Sequence, residues 1–162
     1  MKYSFEDYKK SANFLRAFGF VNCEYAIILG TGLHGLVHSL ENVIKIAYEQ
    51  IPGFVKPTFH DGTLLFGEFF GKKLLVMSGR YHYYEGYDYV DVTYPIRVMK
   101  LLGIKKLIVT NAVGAINLDF KVGDLMLITD HIKFFKESPA RGKNLEQFGT
   151  RFFDMSDSYS KV

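Results

Sequence analysis

Residues 25–35 read YAIILGTGLHG, and their reading decides the fold. Tyr25 to Leu29 is a short apolar run with β-branched residues, the pattern of a buried strand. Gly30 ends it, TGLHG follows, and a short helical piece runs on through Leu40. A strand that stops at glycine and passes into a helix is the repeating step of an α/β sheet with helices on its faces.

The flanking sequence extends that step. Ser4 with Asp7 has the capping-box spacing, and Phe5, Tyr8, Phe14, Leu15 and Phe18 recur at helical intervals up to Gly19. Val43 to Gln50 alternates and predicts a strand. TLLFGEFF and KKLLVMS meet at Gly71-Lys72 and predict a hairpin. VDVTYPIRVMKLLG predicts one helix with Val92, Ile96, Met99 and Leu102 on a face, Pro95 in its first turn and Gly103 at its end. Lys106 to Thr110 and Asp124 to Thr129 predict a second and a third buried strand. From Lys133 onward no periodicity is visible, and there is neither an internal repeat nor a low-complexity tract.

Composition narrows the class. The chain has 162 residues with 48% hydrophobic and 23% charged, enough for one domain with a real core. Its net charge of +3 comes from scattered basic residues with no run longer than a pair, which disfavours a nucleic-acid partner. One cysteine, Cys23, leaves no intrachain disulfide, and it is expected to be a buried thiol in a reducing compartment. No apolar run approaches the ~18 residues of a membrane span, and the start, MKYSFEDYKK, is not a signal peptide. A soluble, cytoplasmic chain is expected.

Ligands of such sheets collect where strands end in glycine-bearing loops. There are three such ends. GTGLHG offers backbone N–H groups and the Thr31 hydroxyl to an anion, although a plain strand-to-helix turn explains it equally. GRYHYYEGY, Gly79 to Tyr87, places Arg80, His82 and Tyr84 on one side if it runs extended, with Tyr81, Tyr83 and Glu85 on the other. A guanidinium beside an imidazole suits phosphate or carboxylate; the alternative is a surface Arg80 paired with Glu85 among packed tyrosines. TNAVGAIN, from Thr110, has small residues that let a ligand meet backbone, and asparagines that also cap turns. His60 is a lone histidine near a turn. No histidine cluster has metal-ligand spacing, so no metal is assigned.

Taken in order, these segments resemble the trimeric purine nucleoside phosphorylases. AIILGTGLHGL is similar to that family's phosphate loop, and GRYHYYEGY to its Gly-Arg-aromatic-His-x-Tyr-Glu-Gly-Tyr signature. TYPIRVMKLLGIKKLIVTNAVGAINLDFKVGDLMLITDHI and RFFDMSDSY resemble later segments in the same register. The resemblance implies a phosphorylase/hydrolase-like three-layer fold with a mixed central sheet, residues 1–162 forming a single domain that is the N-terminal portion of a longer one and is incomplete at its C-terminus.

It also implies roles. Thr31, His60, Arg80, His82 and the backbone of Ala112 would bind phosphate. Tyr84 would lie against ribose, and Phe152 would reach a neighbouring subunit's site in a homotrimer. His82 and Glu85 count as catalytic, Glu85 by orienting His82. The implied reaction is reversible phosphorolysis of purine nucleosides, a pentosyl transfer of purine salvage. It needs no cofactor, inorganic phosphate being a co-substrate. The family's purine-binding glutamate and asparagine lie beyond this chain, so the isolated chain is expected to be nearly inactive and to leave an apolar face or strand edge uncovered. A methylthioadenosine phosphorylase and a catalytically incomplete anion-binding module are the competing readings.

Overall fold

The computed structural model describes residues 2–57 and 62–160, so His60 lies outside the described residues. The chain forms two compact units, one running to Ala112 and the other beginning at Val113.

The first unit is built on a five-stranded mixed sheet. Its strands are β1 (Tyr25–Leu29), β2 (Glu41–Ala47), β3 (Thr63–Phe69), β4 (Lys72–Ser78) and β5 (Lys106–Val109), in the order β2-β3-β4-β1-β5. β1 runs parallel to both β4 and β5. β3 is antiparallel to β2 and β4. The β3–β4 hairpin turns on Phe70 and Gly71, both at positive φ (48° and 70°), the left-handed pair that matches strand twist.

Both faces of the central strands β1, β3 and β4 carry buried residues. On one, Leu29, Leu65 and Val76 form a core with Ile27 and Leu74, closed by Leu36 and Val37 from a 3-10 turn at His34–Ser39. On the other, Ala26, Ile28, Leu64, Phe66, Leu75 and Met77 are buried. There Phe20, just after helix α1 (Phe5–Ala17), stacks on Phe66 at 5.2 Å. α1 starts as its sequence specifies. Asp7 N donates to Ser4 Oγ at 3.3 Å, and Ser4 N donates to the Asp7 carboxylate at 2.7 Å. The Ser4 N–H and hydroxyl, both donating to the Asp7 carboxylate at 2.7 Å, hold that carboxyl below its ordinary value. The buried stripe Tyr8, Ser11, Ala12, Leu15 follows the expected 3–4 spacing.

Four expectations change. The helix predicted from Val90 is two pieces, α2 (Tyr89–Val92) and α3 (Tyr94–Leu102), interrupted at Thr93. The break shifts the buried face to Tyr94, Pro95, Val98 and Met99, which pack toward α1. Residues 48–50 leave the predicted strand as a 3-10 turn. β5 is not buried: it is the sheet's outer strand in this unit, with Ile108 55% exposed.

The fourth change is in the second unit. Asp124 to Thr129 is not a strand. A turn closes at its start, with Asp124 N donating to Lys121 O at 3.1 Å and Lys121 N to the Asp124 carboxylate at 2.8 Å. An apolar run becomes a strand only against a partner, and Leu125 is 89% exposed. The regular element assigned among the described residues here is one 3-10 turn, Glu146–Phe148. No helix among the described residues is long and apolar enough to cross a membrane.

Candidate functional site

Parallel pairing sets the geometry. With Leu29 opposite Ser78 and Ile28 opposite Val109, the strands β4, β1 and β5 end side by side. The three glycine- or asparagine-bearing segments Gly30–Gly35, Gly79–Gly86 and Thr110–Ala112 therefore leave the sheet at the same end.

Thr110 joins them. Its N–H and its hydroxyl both donate to Ile28 O at 3.0 Å, and its Oγ1 accepts from Gly30 N at 2.8 Å. Its carbonyl accepts from Arg80 Nη1 at 2.8 Å. Only glycine fits at position 30, because a Cβ there would stand 2.4 Å from Thr110 O and 2.7 Å from Asn111 Cα. Thr31 is the next residue along and is exposed. Ala112, two residues past Thr110, is exposed as well.

The Gly79–Tyr87 stretch is not extended throughout. His82 is extended, but Tyr83–Glu85 is a 3-10 turn closed by Gly86 at φ 93°. The cause is Glu85, whose carboxylate accepts the His82 N–H at 2.7 Å and draws the chain round. Arg80 reaches Thr110 and Glu85 reaches the His82 backbone, so the alternative of a surface Arg80–Glu85 pair does not describe these contacts. His82 and Tyr84 still come together, their rings stacked at 4.8 Å. Tyr84 remains 77% exposed, with its ring open to a ligand.

The other tyrosines of the stretch hold it in place. Tyr81 is buried between Tyr48 (5.5 Å) and Tyr87 (5.6 Å). Tyr48 Oη donates to Gly79 O at 2.6 Å, and Tyr87 Oη donates to Lys56 O. Burial pushes the Tyr48 and Tyr81 phenols well above their ordinary range. Thr110 and Tyr48 are the residues that sequence reasoning missed. Thr110 had a signal in its place at a strand end before Asn111, whereas Tyr48 had none, its partner being 31 residues away.

Phe152 belongs to the second unit and is 92% exposed. Cys23 is buried, its Sγ 3.1 Å from Tyr25 O, and desolvation raises its thiol. At the sheet end, then, a guanidinium, an imidazole and a hydroxyl lie on adjoining segments, with Thr31 and Ala112 exposed. Donors of these kinds suit a tetrahedral oxyanion.

Known proteins resemble the chain over nearly its whole length. The family model described as the phosphorylase superfamily matches residues 24–161. The purine nucleoside phosphorylase of Bos taurus is 45% identical over 164 aligned residues, which cover 98% of this chain and 57% of that protein. Among solved structures, Schistosoma mansoni purine nucleoside phosphorylase in complex with adenosine superposes with TM-score 0.89 at 42% identity, covering 98% of this chain and 57% of that one. Isoform 2 of the Schistosoma mansoni enzyme, in complex with cytosine and ribose-1-phosphate, gives TM-score 0.88 at 38% identity, again over 98% and 57%. This chain thus spans about half the length of the relatives it matches.

Proposed function

The chain belongs to the phosphorylase superfamily, and from that premise we propose that it carries the phosphate site and part of the ribose site of a purine nucleoside phosphorylase. The reaction is reversible phosphorolysis: a phosphate oxygen bonds to C1′ of the ribose as the C1′–N9 bond breaks. The electron pair leaves with the purine, which takes up a proton. Ribose 1-phosphate and free base result.

The observation that carries this reading is the Gly30–Thr110–Arg80 junction at the shared end of three strands. Phosphate is a weak nucleophile until it is aligned, and positioning supplies much of the rate. In this proposal the Arg80 fork, the His82 ring, the Thr31 hydroxyl and the Ala112 N–H hold it beneath C1′, with His60 completing the set. Its negative charge then also steadies the oxocarbenium-like sugar as the bond breaks. Tyr84 lies against the ribose. Glu85 acts through the His82 backbone, which it already holds at 2.7 Å. No cofactor takes part in the proposed reaction.

The wider setting is proposed on the same basis: a homotrimer in which Phe152 serves a neighbouring subunit's site, working in the cytoplasm in purine salvage. The test is calorimetric titration of the chain with inorganic phosphate. Binding that is lost in Arg80→Ala supports the reading. Unchanged binding in that variant removes the site assignment.

A further inference from the structure

Asp91 is 2% exposed although it is a carboxylate. Burial of this kind is tolerated only with partners. Lys2 Nζ stands 2.5 Å from Oδ2, Tyr3 Oη donates to Oδ1 at 2.6 Å, and the Asp88 backbone N–H donates to Oδ2 at 3.2 Å. Two of these partners come from the N-terminal arm, and the third comes from the residue immediately after the Gly79–Tyr87 stretch. The arm itself is seated, with the Tyr3 ring 4.5 Å from Tyr94.

The Asp88 end leads back to the anion site. Asp88 caps the short α2, its carbonyl accepting from Asp91 N at 2.9 Å and Val92 N at 3.1 Å. Tyr89, in the same turn, stacks on Tyr83 at 4.6 Å and 18°. Tyr83 opens the 3-10 turn that Glu85 ties to His82. Tyr87, on the other side of Gly86, packs on Tyr81, the residue between Arg80 and His82. A four-residue helix has too few bonds of its own to stay in place. Its position is set by what it is fastened to.

We propose that Asp91 is a positioning residue for the anion site: through Asp88 and α2 it fastens the Tyr83–Glu85 turn to the Lys2–Tyr3 arm, and so fixes where Arg80 and His82 present themselves. This inference rests on the phosphate reading above and adds to it a requirement for the N-terminal arm. Asp91 does not touch the anion. Lys2 and Tyr3 lie 89 and 88 positions from Asp91, which joins the arm to α2, and Lys2 Nζ also reaches Asp88 Oδ2 directly at 3.4 Å.

The experiment measures phosphate affinity by calorimetry at a temperature where near-UV circular dichroism shows each variant folded, with the urea midpoint measured in parallel. Tyr3→Phe removes one donor without changing shape, and Lys2→Met removes the charge. Each is expected to weaken phosphate binding about three- to tenfold, and Lys2→Arg to restore it. Faster amide exchange across residues 82–88 is expected in the two weakened variants. Lowered midpoints with unchanged phosphate affinity overturn the proposal and leave the phosphate reading standing. If Arg80→Ala also binds phosphate normally, the phosphate reading falls and takes this proposal with it. Asp91→Asn is informative only if it folds, and the two arm variants decide the matter without it.

Discussion

The amide of Gly30 donates to the hydroxyl oxygen of Thr110 at 2.8 Å, so the end of β1 and the end of β5 are one hydrogen-bonded junction. Gly30 is buried, so its N–H has no water to fall back on. Thr110→Val keeps the shape and removes the acceptor. The expected loss is about 1–3 kcal/mol, the penalty of an unsatisfied buried donor, read as a lower urea midpoint with unchanged slope. An unchanged midpoint would mean that the junction contributes nothing.

The same junction constrains position 30. Gly30→Ala places a methyl 2.4 Å from Thr110 O, which is backbone and has no rotamer to move. Overpacking of about 1–3 kcal/mol is expected, together with weakened phosphate binding, because Thr110 O also holds Arg80. Wild-type stability and affinity in this variant would show that the two strand ends separate freely.

Two buried tyrosines beside the site should respond oppositely to loss of their hydroxyls. Tyr48 Oη donates to Gly79 O at 2.6 Å, so Tyr48→Phe strands that carbonyl and should destabilise by about 1–2 kcal/mol. The Tyr81 hydroxyl is buried with no hydrogen-bond partner among the described residues, the Val55 backbone lying close by. Tyr81→Phe should therefore be neutral or stabilising, by up to about 1 kcal/mol. Chemical denaturation of the pair checks this, and equal losses in both variants would contradict it.

Phe70 turns the β3–β4 hairpin at φ 48° while 90% exposed. An L side chain in the left-handed region costs about 1–2 kcal/mol, less for asparagine, and here no burial offsets it. Phe70→Asn creates the Asn-Gly pair preferred in such turns and should raise the melting temperature. A lower melting temperature would show that the ring makes contacts worth keeping.

The buried phenols set an alkaline limit. Burial is the first cause raising Tyr3, Tyr8, Tyr48, Tyr81 and Tyr94 above the ordinary phenol value. A group raised on folding keeps in the native state a proton that the unfolded chain releases. Its contribution is complete below the unfolded value of ~10 and is lost as pH rises beyond it. Lys2, raised by its bond to Asp91, acts in the same direction. The urea midpoint should hold up to about pH 9.5 and fall with increasing slope above about pH 10. A flat midpoint would contradict the burial of these hydroxyls.

Local signals in the sequence were reliable where one segment decides its own conformation. The Ser4–Asp7 cap, the helix to Ala17, the β3–β4 hairpin and the strand Tyr25–Leu29 stand where their residues put them. Asp124 to Thr129 also carries an apolar run, Leu125 to Ile128, yet is not a strand, because strand formation is settled by a partner that the run itself does not contain. The break at Thr93 was likewise invisible. α2 is held by Asp91, whose partners Lys2 and Tyr3 lie at the other end of this unit's sequence.

The sequence by itself determined which residues are chemically able to hold an anion: a guanidinium and an imidazole two positions apart, and two segments of small residues. It determined the sheet class as well, since strand-to-glycine steps and a hairpin are short-range patterns. Only the tertiary structure decided that Thr110 is the hub linking Gly30 to Arg80 and that Asp91 joins Asp88 to the N-terminal arm. The physical reason is range. Helix caps and turns are fixed by bonds across three or four residues, whereas the site is fixed by parallel strand pairing and buried bonds between residues 30 to 90 positions apart, which no local pattern records.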